Sequence, residues 1–378
     1  MKTKLKDLEC LLYISYPIIN ILLLFFNVSF STRSLINRLI VLFFFVISNK
    51  YLLKNDIKKC ILMDLFIFIY AIYLYIRVDS FLYLLNLDVV YFWFLIINLF
   101  AFSNKKIKNY VINYFYNNLT IVKVNTVITF VTCAFSLIFG NGFVSAQNTV
   151  VFKGFFDLEH TLAYHMVISY LYLLFYEKKH ITKKHPLEKT FFVILIILSG
   201  VRSAFIVSLL FILVDFFMLS RSKRIIIILL LLCSFPLVIS NNNFMYNIPM
   251  ISKSIKADDA GDITNGRGEL RRYALDYYFN KTSLEEKIIG ISMKDLRNAY
   301  WDNLHAHNDF LNILLGYGLI SLLLFIGLLL KNYNQSGCAL SLLTIFILSF
   351  FNGLFMYFEI VFFIPIIDTA LNTKKKGV

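Results

Sequence analysis

The chain is 378 residues long, 59% hydrophobic and only 16% charged, with a formal net charge of +14. That balance lies far from the soluble average and argues against a water-soluble enzyme. It also argues against a nucleic-acid-binding protein, which needs a basic face on a soluble domain. The five cysteines (Cys10, Cys60, Cys133, Cys233 and Cys338) lie mostly in or beside apolar runs without ligand spacing. They read as small buried hydrophobes rather than a disulfide framework.

In chain order, apolar runs near the ~20 residues that cross a bilayer fall at 8–28, 35–53, 58–77, 81–102, 120–140, 161–177, 188–200, 203–219, 225–240, 308–330, 338–356 and 357–372. The first lacks a small-residue cleavage site and reads as a true span. The expectation is an all-α integral membrane protein of about twelve transmembrane helices, with one long external loop carrying short amphipathic helices. If both termini are cytoplasmic, the inner segments collect Lys50, Lys54, Lys58, Lys59, Lys105, Lys106, Lys108, Lys178, Lys179, Lys183 and Lys184, while short outer segments hold only Arg33, Arg38, Arg77, Lys153 and Arg202. This asymmetry is what the positive-inside rule requires. The organisation expected is a membrane domain over residues 1–240, an external segment over 241–307, and a second membrane domain over 308–378 with a basic cytoplasmic tail. A polar connection as long as 241–305 is a functional loop or a small subdomain.

Within that segment a helix can begin at Thr264-Asn265-Gly266, with Thr264 or Asn265 as cap. Leu270, Tyr273, Ala274 and Tyr277 follow at helical spacing, and Arg267 and Arg271, four residues apart, stand on one side. Such a helix would lie along the outer interface with two guanidinium groups facing the level of a lipid diphosphate. Arg202 sits in Ser199-Gly200-Val201-Arg202-Ser203-Ala204, a polar break between apolar runs. It reads either as an arginine snorkelling from a helix end or as an anion site, since an arginine fork matches phosphate oxygens.

The most telling stretch is His305-Ala306-His307-Asn308-Asp309-Phe310-Leu311, leading to Gly316-Tyr317-Gly318. A polar turn at the mouth of a membrane helix is costly to keep unless something uses it. His305 and His307, with Asp302 and Asp309 near, could suggest a metal, but a third strong ligand with recognisable spacing is missing. They could equally be interfacial histidines hydrogen-bonded to loop carbonyls. A neutral histidine here is also a good general base, and neighbouring arginines would keep it neutral.

These landmarks together (an outer Ser-Gly-x-Arg-Ser-Ala, a Gly-Arg in a long external loop, and His-x-His-Asn before Leu and Gly-x-Gly) resemble the O-antigen polymerase and O-antigen ligase family over roughly 140–330. Glu159-His160-Thr161-Leu162-Ala163 resembles the family's His-Pro-Asn-Thr-Leu-Ala, with Glu159 and His160 replacing its Pro and Asn. The resemblance implies a multi-span, GT-C-like, metal-independent glycosyltransferase without a cofactor, in the bacterial cytoplasmic membrane. Its donor and acceptor would be undecaprenyl-diphosphate-linked oligosaccharides at the outer face. It implies Arg202 and Arg267 as diphosphate binders and His307 as base, with Arg271, Arg272, His305, Asn308 and His160 as substrate contacts. Membrane lipid, and a chain-length regulator implied by the family alone, complete the expected partners; nucleic acid is not among them. Polymerase of a capsule or O-antigen is favoured over ligase. A lipid-linked-sugar transporter remains the reading from another class, because Asp64, Asp88, Asp215 and Glu359 could line a pathway.

Overall fold

The computed structural model describes residues 5–146, 149–179, 184–218, 267–292, 307–336, 338–351 and 364–371, with single positions at 249, 251, 252, 295, 353 and 361. The expected span at 225–240, the cap residues Thr264 and Asn265, and Asp302, His305 and Glu359 lie outside the described residues. The helices are α1 Leu5–Phe25, α2 Phe30–Asn55, α3 Ile57–Val78, α4 Leu87–Phe102, α5 Lys105–Asn117, α6 Leu119–Ile138, α7 Glu159–Lys179, α8 Pro186–Ser199, α9 Arg202–Met218, α10 Arg267–Asp276, α11 Leu284–Ile289, α12 Asp309–Ser336, α13 Ala339–Phe351 and α14 Ile364–Leu371. A short hairpin, β1 Phe143–Ala146 and β2 Thr149–Phe152, pairs Phe143 with Phe152 and Ala146 with Thr149; the all-α expectation has no place for it.

Among the described residues four helices are long and apolar enough to cross a membrane: Phe30–Asn55, Ile57–Val78, Leu119–Ile138 and Asp309–Gln335. Counting α4 and α5, bent by 99°, as one broken span raises the number to five. This count covers the described residues alone and does not confirm twelve crossings. Two of the expected runs form helices shorter than a full span. α8 and α9 have 14 and 17 residues, or about 21 and 26 Å at the helical rise, against a ~30 Å hydrocarbon core.

The chain divides into two units. The first comprises 1–16, 27–117 and 266–365. Its centre is α4, apolar on every side and buried almost throughout, as a helix enclosed by others must be. α2, α3 and α12 pack around it. Tyr13 donates to Asn98 inside the unit, Phe44 meets Phe94 at 5.4 Å, and Tyr317 stacks on Phe92 at 3.8 Å. In contrast, α3 leaves Ile61, Leu62, Leu65, Phe68, Ile69, Ile72 and Ile76 exposed, an apolar face that fits lipid rather than water.

The second unit comprises 17–26, 118–265 and 366–378. Here α7 is the buried helix, with α6, α8 and α9 against it. His165 of α7 lies 2.9 Å from Thr129 of α6. Buried Glu177 and Lys189 form an ionic chain with half-buried Asp215 (Lys189 to Glu177 2.7 Å, Lys189 to Asp215 2.6 Å), and the Tyr170 hydroxyl donates to Asp215 at 2.9 Å. Buried charges persist where they are paired in this way.

Candidate active site

Three segments of the first unit build the site. Helix α10 begins at Arg267 and buries Ala274, with Leu270, Tyr273 and Tyr277 half-buried on the same side, so the apolar face read from the sequence is present. Arg267 Nη1 donates to the carbonyl of Phe351 at 3.0 Å, and Arg271 Nη2 to that of Phe350 at 3.0 Å. These are carbonyls at the C-terminal end of α13, where the helix leaves its acceptors without internal partners and its dipole favours cations. Arg271 also lies over the Phe350 ring, 4.6 Å from its centre. Arg272, about 100° further round the helix, is exposed.

Neither Arg267 nor Arg271 has a carboxylate partner among the described residues. A guanidinium has five donors, and the Nε of Arg271 is buried without an acceptor. Burial, and then the charge of Arg267, push the Arg271 pKa below its usual value. An anion between the two would relieve both effects.

His307 precedes the mouth of α12 with a left-handed backbone, φ 48°. The next residue, Asn308, is buried and acts as the cap, its Oδ1 accepting from the Leu311 amide at 3.1 Å. Asp309 is fully buried beside it. Rings connect this turn to the arginine helix. Phe310 meets Phe346 at 5.4 Å, Phe346 stacks on Phe350 at 5.7 Å, and Phe350 carries Arg271. Thus a relay of rings on α12 and α13 links the arginine helix α10 to the helix that His307 and Asn308 precede.

The segment preceding His307 in the chain is held by residues that sequence reasoning did not single out for this role. α11 opens with a capping box, Ser283 Oγ accepting from the Glu286 amide and Glu286 accepting from the Ser283 amide. From α3, Tyr70 donates to the carbonyl of Ile289 at 2.6 Å, Tyr73 to that of Gly290, and Arg77 Nε to that of Ile291 at 3.0 Å. Arg77 also pairs with Glu286 at 2.6 Å and Asp295 at 3.0 Å. Burial works against ionisation of Glu286, but the Ser283 amide and Arg77 outweigh it and hold its pKa below the usual value. The spacing Tyr70, Tyr73, Arg77 was the available signal, since such residues share a helix face.

The segment then crosses α12 at its break. Gly318 is non-helical, φ 80°, ψ 175°, and Gly290 has φ 102°. A Cβ on Gly318 would stand 2.3 Å from the Ile288 carbonyl oxygen, and one on Gly290 2.6 Å from that of Gly316. The Ile291 amide donates to Leu315 at 2.8 Å and that of Ser292 to Gly316 at 3.1 Å.

Arg202 and His160 belong to the second unit. Gly200 ends α8 in the left-handed conformation, and Arg202 opens α9 directly. Ser203 bonds Tyr164 at 2.8 Å and Ala204 is fully buried, so the small residues of this motif serve tight helix packing. His160 Nδ1 lies 3.6 Å from Glu159. Among the described residues no group of three or more His, Cys, Asp or Glu could hold a metal.

Residues 190–326 match the family model described as O-antigen ligase. The matched segment contains Arg202, Arg267, Arg271, Arg272, His305, His307 and Asn308; Glu159–Ala163 lies outside it. No match emerges among curated proteins or among solved structures. The landmarks at Arg202, Arg267 and His307 all lie inside the matched segment, and over residues 190–326 this membrane protein is similar to the O-antigen ligase family.

Proposed function

We propose that the chain polymerises a surface polysaccharide, an O-antigen or a capsule, by transferring the growing glycan from undecaprenyl diphosphate to a lipid-linked repeat unit. The observation that carries this reading is the pair Arg267 and Arg271. They rest on helix-end carbonyls, lack carboxylate partners among the described residues, and are joined by the Phe350–Phe346–Phe310 ladder to the His307 turn. Two forks side by side suit the two phosphates of a lipid diphosphate.

In the proposed reaction an acceptor hydroxyl oxygen attacks the anomeric carbon of the donor. The bond from that carbon to the diphosphate oxygen breaks, and the diphosphate leaves with the electron pair. His307 takes the hydroxyl proton, because an alcohol is a poor nucleophile without a base. Arg267 and Arg271, with Arg202, stabilise the growing charge; one prepositioned donor of this kind supplies ~3–4 kcal/mol in known cases. Single displacement gives inversion at the anomeric carbon. Arg272, His305, Asn308 and His160 are proposed as sugar or phosphate contacts. The proposed setting is the bacterial cytoplasmic membrane with the site on the outer face, the external segment 241–307 lying between the membrane domains 1–240 and 308–378.

A ligase would use the same chemistry on another acceptor. A transporter should depend instead on intramembrane carboxylates, yet Asp215 is bound to Lys189 and Tyr170. The test is a polymerisation assay with wild type and His307→Ala on a lipid-diphosphate repeat unit, read as a ladder. A ladder from wild type alone supports the reading. A ladder of equal length from His307→Ala refutes the base, and an unextended repeat unit with wild type favours ligase or transport.

A further inference from the structure

Asn312 stands one turn into α12 from Asn308, on the same face of the helix and five residues after His307. Its side chain is fully buried, and neither Oδ1 nor Nδ2 has a hydrogen-bond partner. An amide removed from water and given nothing in return is among the costliest things a helix can bury. Among the described residues only Asn125 of α6 shares this condition with both atoms. The helix carrying Asn125 holds none of the groups assigned to the chemistry, whereas Asn312 belongs to the helix that His307 precedes.

The surroundings narrow what Asn312 could hold. Asn308 has already committed its Oδ1 to the Leu311 amide, and Leu315 and Gly316 give their carbonyls to Ile291 and Ser292. The next turn of α12 is therefore used by backbone. Asn312 is left as a neutral side chain with two donor hydrogens and an acceptor oxygen. A phosphate would use only the donors. A sugar hydroxyl, which both gives and accepts a hydrogen bond, uses both.

We propose that Asn312 is a specificity-determining residue that binds a hydroxyl group of the sugar undergoing transfer or attack, Nδ2 donating to the hydroxyl oxygen and Oδ1 accepting its proton. This rests on the glycosyltransferase reading above and extends it to the substrate class, a pyranose ring with a free hydroxyl beside the reacting centre. A site built around such a bond discriminates strongly against a sugar lacking the group, because the buried amide is then left unpaired.

The test uses the full-length protein in detergent or nanodiscs, with Asn312→Leu and His307→Ala beside wild type. Leucine keeps the heavy-atom count and the branching at Cγ and removes the unsatisfied amide. The expected result is a thermal unfolding midpoint unchanged or raised, with kcat/KM on the lipid-linked repeat unit reduced roughly tenfold or more. Retention of kcat/KM within about twofold would show that the amide holds only water, and would overturn the proposal. So would a lowered midpoint in both Asn312→Leu and the smaller Asn312→Ser, because that marks a structural bond. If wild type itself leaves the lipid-linked repeat unit unextended, the polymerase reading on which the proposal rests fails. If His307→Ala is inactive while Asn312→Leu is fully active, only the role of Asn312 fails.

Discussion

Replacing Gly318 with alanine is expected to release segment 284–292 from α12. Its backbone, φ 80° and ψ 175°, lies where an L side chain costs about 1–3 kcal/mol. The added Cβ would also fall 2.3 Å from the Ile288 oxygen and 2.4 Å from the Ile289 carbonyl carbon. Both are backbone atoms that no rotamer change can move, so the crossing segment must withdraw. Withdrawal breaks the bonds from the Ile291 and Ser292 amides to Leu315 and Gly316, each contributing about 1 kcal/mol. Strain and lost bonds together amount to roughly 3–5 kcal/mol. Hydrogen exchange read at Ile291 and Ser292 should then accelerate roughly 100-fold or more, with faster cleavage by trypsin at Lys287. Gly290→Ala should behave alike. Gly327→Ala, with nothing within 4 Å of its Cβ, is the control. Unchanged protection in Gly318→Ala would refute the account of the crossing.

Arg77→Gln removes the pairs to Glu286 and Asp295 and should destabilise the same segment by about 1–2 kcal/mol after solvent screening, seen as local loss of exchange protection without global unfolding. The folded-state pKa of Glu286 is depressed from 4.5, so its contribution is complete above that value and fades as pH falls below it; proteolysis of 284–292 should rise on acidification from pH 5 to 3, and less so in Glu286→Gln. Arg271→Lys keeps the charge but loses the fork and the stacking on Phe350, so the rate of polymerisation should fall roughly tenfold or more. Chelators should leave the ladder of the purified protein unchanged; loss that zinc restores would install the metal reading of His305 and His307.

The features legible in the chain alone are local ones. Apolar runs placed α2, α3, α6 and α12 within a few residues, because a helix needs only neighbours three and four positions away. The same periodicity put Arg267 and Arg271 on one edge, and the polar turn at His307 marked the start of α12. Apolar runs at 188–200 and 203–219 likewise placed α8 and α9. The bend after α4 and the hairpin 143–152 were invisible to apolar composition. Folding in three dimensions was needed to rest Arg267 and Arg271 on carbonyls 84 and 79 residues away. It likewise paired Arg77 with Glu286 across 209 positions. It crossed Gly290 with Gly318 and left the amide of Asn312 buried and unsatisfied. Such partners are chosen by which helices pack together, and packing draws on contacts that no local window of the chain contains.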